Sequence, residues 1–206
     1  FISSPGDVEV EREKAKQVIE QLQKWYGASV HLEVLLWEQL PLEIDASFQA
    51  GIDPALGQID IAVFILWSRI GTPLVADGKT YASGTEREFD LMLQAHAKTN
   101  GEKPDILFYR RNDDDSFNQY LTTQSTDTIK TCLAQKEAAE TFFQNHFKNE
   151  DGTNQRAYHA YQHPVEFASR LKVHLRGLID EQFTQGTLQT RASWTDRPPY
   201  RGLEAF

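Results

Sequence analysis

Apolar positions along this chain fall into two alternating patterns: short unbroken runs, and longer stretches spaced at three and four residues. The alternation predicts strands and helices in turn. Residues 59–67, with Ile61-Ala62-Val63-Phe64-Ile65-Leu66-Trp67 almost wholly apolar, read as a central parallel strand covered on both faces. Residues 1–4 read as the end of a first strand, 30–37 as a second, 105–109 as a fourth and 156–162 as a fifth at an edge. Val10, Ala15, Val18, Ile19, Leu22 and Trp25 mark the buried face of a helix over 8–26, with Asp7 placed to cap it after Pro5-Gly6. Further helices are predicted over 48–56, weakened by Pro54, over 85–98, over 129–148 and over 164–183, the last opened by a proline in its first turn. Cys132, Leu133, Ala139, Phe142, Phe143 and Phe147 supply the apolar stripe of the helix over 129–148. The stretch between the third strand and Ser83 reads as a loop. Residues 111–127, polar and acidic, read as an excursion loop.

Strand and helix in strict alternation predict an α/β protein. The expected architecture is a five-stranded parallel doubly wound sheet in the flavodoxin-like order 2-1-3-4-5. In that order the chain changes direction between the first and third strands. Ligands bind outside the carboxyl ends of strands at such a point, so the predicted crevice is lined by residues 3–7 and 67–72.

With 206 residues and 40% apolar content, the chain supports one sizeable core, expected over 1–183, followed by a linker over 184–198. The formal net charge of −9 argues against nucleic acid as a partner, because neutralising phosphates needs clustered Lys and Arg. Arg110-Arg111 and the scattered Arg170, Lys172 and Arg176 read as solvated helix faces or strand ends. A single cysteine excludes a disulfide framework, which makes a cytoplasmic location the expectation. No apolar run reaches the roughly 18 residues of a membrane span, and no membrane partner is expected. The chain opens with Phe1 inside a strand and is expected to be part of something longer.

Ser83-Gly84-Thr85-Glu86-Arg87-Glu88 puts two carboxylates at the start of a helix beside the crevice. A carboxylate there can stabilise a developing cation or hold a ribose hydroxyl. Ser83 with Glu86, and Thr85 with Glu88, also both match a capping box, and only one pair can form it. If Ser83 is the cap, the Glu without a local structural explanation is Glu88. Arg69 is suited to grip a phosphate, or else to pair with Glu86, Glu88 or Glu38. Ser68 arrives at the same strand end, and Ser4 and Asp7 lie at a strand-to-helix junction that favours anions. Trp37 and Trp67 end neighbouring predicted strands, either to stack on a base or to pack in the core. The six histidines form no metal-binding spacing, and no nucleotide-triphosphate loop is present.

Phe1-Ile2-Ser3-Ser4 with Asp7 and Glu11-Arg12, Trp37-Glu38, Gln49, Asp60, Trp67-Ser68-Arg69-Ile70-Gly71-Thr72-Pro73, and Ser83-Gly84-Thr85 with Glu88 together carry a resemblance. Over about the first 110 residues, the chain resembles the TIR-like domain of unknown function found at the N-termini of STAND-type ATPases. Pro199-Tyr200-Arg201-Gly202-Leu203-Glu204-Ala205-Phe206 looks like the opening segment of a STAND nucleotide-binding module, assigned to 199–206. The resemblance implies a bacterial antiphage-defence protein acting by abortive infection. Its TIR-like effector would self-associate and be followed in the same chain by an ATPase and a sensor. It also implies hydrolysis of NAD, as substrate rather than cofactor, at the nicotinamide–ribose bond. Glu88 best matches the catalytic Glu, with Glu86 as the alternative, and Arg69 with residues 4–7 would hold the phosphates. The chain departs from the TIR pattern in having Gly84-Thr85 where a Trp and Cys usually precede that Glu. A non-catalytic oligomerisation module and a receptor for a nucleotide-derived second messenger are the alternative expectations.

Overall fold

The structure is a computed structural model that describes residues 1–27, 29–35, 59–76 and 78–184. Strand β1 (Ile2–Ser3) leads through a 3₁₀ turn (Gly6–Val8) into α1 (Glu9–Tyr26). Then come β2 (Ile61–Leu66), β3 (Leu74–Ala76), β4 (Lys79–Tyr81) and α2 (Gly84–Lys98). The chain continues through β5 (Asp105–Arg111), α3 (Asp114–Leu121), α4 (Thr126–Phe147), β6 (His159–Tyr161) and α5 (Pro164–Thr184).

The fold is α/β, with a parallel sheet of four strands in the order β1-β2-β5-β6. Val63 lies opposite Ile2 and Leu107, and Phe64 opposite Ser3 and Phe108. Side chains alternate across a strand, so the apolar run of β2 feeds two cores. Val63 and Ile65 pack with Leu22 of α1 and Phe167 and Leu171 of α5. Ala62, Phe64 and Leu66 pack with Phe89 of α2 and Phe142 and Phe147 of α4. Burying both faces of the central strand holds its carboxyl end in place, and Trp67, Ser68 and Arg69 emerge there. Among the described residues, no helix is long and apolar enough to cross a membrane.

Several expectations need correction. Of the second strand expected over 30–37, the described part, 30–35, is not a strand. Gln23 explains this locally: its side chain donates to Val30 O at 3.0 Å and accepts from Leu32 N at 2.5 Å, so α1 claims these backbone groups. Only Leu35, whose carbonyl accepts from Ile2 N at 3.1 Å, reaches β1.

The loop expected over 111–127 contains helix α3, capped by Asp113, whose carboxylate accepts from Ser116 N at 3.0 Å. Its polar composition misleads because Phe117 is the one buried residue of the helix. The loop expected after Thr72 contains the antiparallel hairpin β3–β4.

The buried faces of two helices are also turned from those expected. Val10 and Trp25 of α1 are exposed, and Glu11, Arg12 and Tyr26 are buried in their place. Leu133 of α4 is likewise exposed. Asp7 caps neither the 3₁₀ turn nor α1. The predicted helix over 48–56, the residue Trp37, the linker and the 199–206 segment lie outside the described residues.

Candidate functional site at the strand ends

The chain leaves β2 through Ser68-Arg69-Ile70-Gly71, and both ends of this turn are tied down. Ser68 donates its backbone N–H and its hydroxyl to the same oxygen of Asp7, each at 2.9 Å. Gln135 of α4 accepts from Ile70 N at 3.3 Å and Gly71 N at 3.1 Å, and donates to Gly71 O at 3.0 Å. Gly71 has φ +112°, a conformation that side chains rarely adopt, so glycine is needed there. Asp7 left the cap position to hold the turn. Burial raises its carboxyl above the ordinary value, against the opposing pull of the Ser68 bonds and the Arg69 charge.

Arg69 sits between the two ties. It is exposed, with Nη1 4.0 Å from where a side-chain carbon on Gly6 would stand, and it makes no ion pair among the described residues. The pairing expected with Glu86 or Glu88 does not form; Glu38 lies outside the described residues. Arg69, Ser68, Asp7 and Gly6 line a cleft of about 530 Å³, closed on the other side by Phe117 and Tyr120 of α3 and by Cys132 and Gln135 of α4. Of the residues expected to line the crevice, 3–7 and 67–72, the cleft takes 6–7 and 67–69, and α3 adds a wall that the sequence did not suggest.

The two glutamates of α2 separate as the capping argument requires. Ser83 is the cap and accepts from Glu86 N at 3.0 Å. The Glu86 carboxylate accepts from Ala82 N at 2.5 Å and lies 3.3 Å from His146 Nε2. Glu86 is thus accounted for by structure. Glu88 is buried and accepts the hydroxyl of Ser3 at 2.5 Å, and it does not line the cleft. Ser4 is also buried, with its hydroxyl unpartnered among the described residues, and it too is absent from the lining.

Beside the cleft lies a polar cluster that sequence reasoning missed. Arg111, expected as a solvated charge, donates to Glu11 at 3.1 Å and to Asp113 at 2.7 Å. Its guanidinium lies 4.0 Å over the ring of Trp67. Tyr161 donates to the same oxygen of Glu11 at 3.2 Å, and Trp67 Nε1 donates to Asp113 O at 3.3 Å. Burial alone would raise the Asp113 carboxyl, yet the Arg111 and Ser116 hydrogen bonds bring it down to about 2. Arg110, also expected in solvent, is buried and paired with Glu140. The usable signal was position: charges at the end of an apolar parallel strand point into covering helices, here α1 and α4.

Among the described residues, no group of three or more His, Cys, Asp or Glu is placed to hold a metal ion. No protein-family model, curated protein or solved structure matches this chain. Among the described residues the cleft offers a guanidinium without an ion pair, hydroxyl and amide groups around it, and an aromatic wall. Such a site suits an anionic ligand that also carries a planar ring.

Proposed function

We propose that the chain is a TIR-like effector of the STAND-ATPase type, acting in the cytoplasm in antiphage defence, whose strand-end cleft takes NAD and cleaves it at the nicotinamide–ribose bond when copies assemble. The observation that supports this most is Arg69, held between the Asp7–Ser68 and Gln135–Gly71 ties, lining the cleft and without an ion pair among the described residues. It is the group that would bind the diphosphate. In this reading the segment that meets β1 at Leu35 takes the place of the second strand in the flavodoxin-like order 2-1-3-4-5.

In the reaction, the bond between ribose C1′ and the nicotinamide nitrogen breaks with its electron pair going to nitrogen, and neutral nicotinamide leaves. An oxocarbenium-like ribose remains. Water adds at C1′, releases a proton to solvent and gives ADP-ribose. Glu88 stabilises the positive charge, as a carboxylate does in glycoside cleavage. The described chain is then a resting form, since Glu88 is held under Ser3. Self-association, driven by the ATPase behind it, would bring Glu88 into play.

One observation favours the second reading, a receptor or oligomerisation module without cleavage: the burial of Glu88 away from the cleft lining. The deciding experiment measures nicotinamide release from NAD by the chain fused to a forced oligomer, beside Glu88→Gln and Arg69→Ala. Release that Glu88→Gln abolishes and Arg69→Ala weakens supports the effector. NAD binding without release in every assembled form supports the module.

A further inference from the structure

Three aromatic side chains line the cleft, and two of them are already engaged. The Trp67 ring is covered by the Arg111 guanidinium at 4.0 Å and meets Phe117 edge-on at 6.4 Å. Phe117 is buried and carries the Lys136 ammonium at 4.4 Å. Tyr120, one turn further along α3, is 49% exposed, and its ring has neither an aromatic nor a cationic partner among the described residues. Trp67, which the sequence offers as a stacking platform, is therefore a structural residue; the available ring in the cleft is Tyr120. Arg69 supplies positive charge to the same cleft.

We propose that α3 is the base-recognition wall of this cleft and that Tyr120 is the residue on which the ligand's aromatic base stacks, while Arg69 holds its phosphates. This rests on reading the cleft as a nucleotide site and adds which part of the ligand each side contacts. Stacking tolerates any base, because every base has a π-face, so the wall selects for a nucleotide over a bare phosphate and only weakly among bases.

The test uses the 206-residue chain with ADP and inorganic pyrophosphate as probes, in calorimetric titrations of the wild type, Tyr120→Ala, Tyr120→Phe and Arg69→Ala. Tyr120→Ala is expected to weaken ADP about tenfold, the effect of losing one base–aromatic stack, and to leave pyrophosphate unchanged. Tyr120→Phe keeps ADP affinity, and Arg69→Ala weakens both probes. Unchanged ADP affinity in Tyr120→Ala, or an equal loss for both probes, overturns the role of Tyr120 while the nucleotide reading stands. Wild-type chain that binds neither probe overturns the nucleotide reading and this inference with it.

Discussion

Ser68 gives both its backbone N–H and its hydroxyl to one oxygen of Asp7, joining the start of α1 to the end of β2 across 61 residues of sequence. Asp7→Ala removes the acceptor of both bonds and is expected to cost roughly 1–3 kcal/mol, read by urea denaturation. Asp7→Asn keeps an acceptor and has a pH signature. The folded carboxyl is raised, so the native state holds its proton more tightly than the unfolded one. Wild-type stability should therefore fall as pH rises from about 4 through the raised value, and the Asn variant should lack that fall. Parallel curves for the two proteins would count against a buried Asp7.

Gly71→Ala tests the second tie. The new carbon would sit 3.2 Å from Cβ of Ser83, the α2 cap, at φ +112°. The expected loss is roughly 1–3 kcal/mol, with weaker binding of an anionic probe because Arg69 is carried on the same turn. A neutral outcome would mean that the turn is not held as described.

Arg111→Ala leaves the buried carboxylates of Glu11 and Asp113 without their shared cation, and about 3–5 kcal/mol of stability should go with it. The Asp113 carboxyl lies below its ordinary 3.8, at about 2. Its contribution is therefore fully present above pH 4 and is lost as pH falls toward 2. An Asp113→Asn chain should show a shallower acid-unfolding curve over that interval, and this can be followed by circular dichroism.

Breaking the contacts of the two glutamates of α2 should have different consequences. Glu86→Ala loses the bond to Ala82 N and the contact with His146, a capping effect of about 1 kcal/mol that leaves the cleft untouched. Ser3→Ala removes a buried donor to Glu88 and is expected to destabilise by roughly 1–3 kcal/mol. Differential scanning calorimetry on both variants checks the contrast; a larger loss for Glu86→Ala would reverse the assignment.

The parts of this fold carried by apolar periodicity were legible in the sequence. β2 could be read from the apolar run that begins at Ile61, and the spacing offered Ser83 with Glu86 and Thr85 with Glu88 as caps, of which the structure takes the first. The misreadings have physical causes. Val10 fits the helical spacing of α1, yet the buried face takes Glu11 because Arg111 and Tyr161 are there to satisfy its carboxylate, which no local pattern reveals. Helix α3 reads as loop because its stabilising features are an Asp cap and one phenylalanine. Asp7 looked like a cap; its true partner, Ser68, is remote in sequence and close only once β1 pairs with β2.

Among the described residues, helix α3 is tied to the rest of the protein by the Arg111–Asp113 pair, by Phe117 against Trp67, and by Lys136 to Asp114. If the cleft takes a ligand as proposed, its preference and the thermodynamic robustness of the fold are separable properties. A chimera that exchanges the exposed positions of residues 115–121 while keeping Asp113, Asp114 and Phe117 should melt with its parent and yet select different compounds. The wall would behave as a replaceable cassette on a scaffold indifferent to its contents.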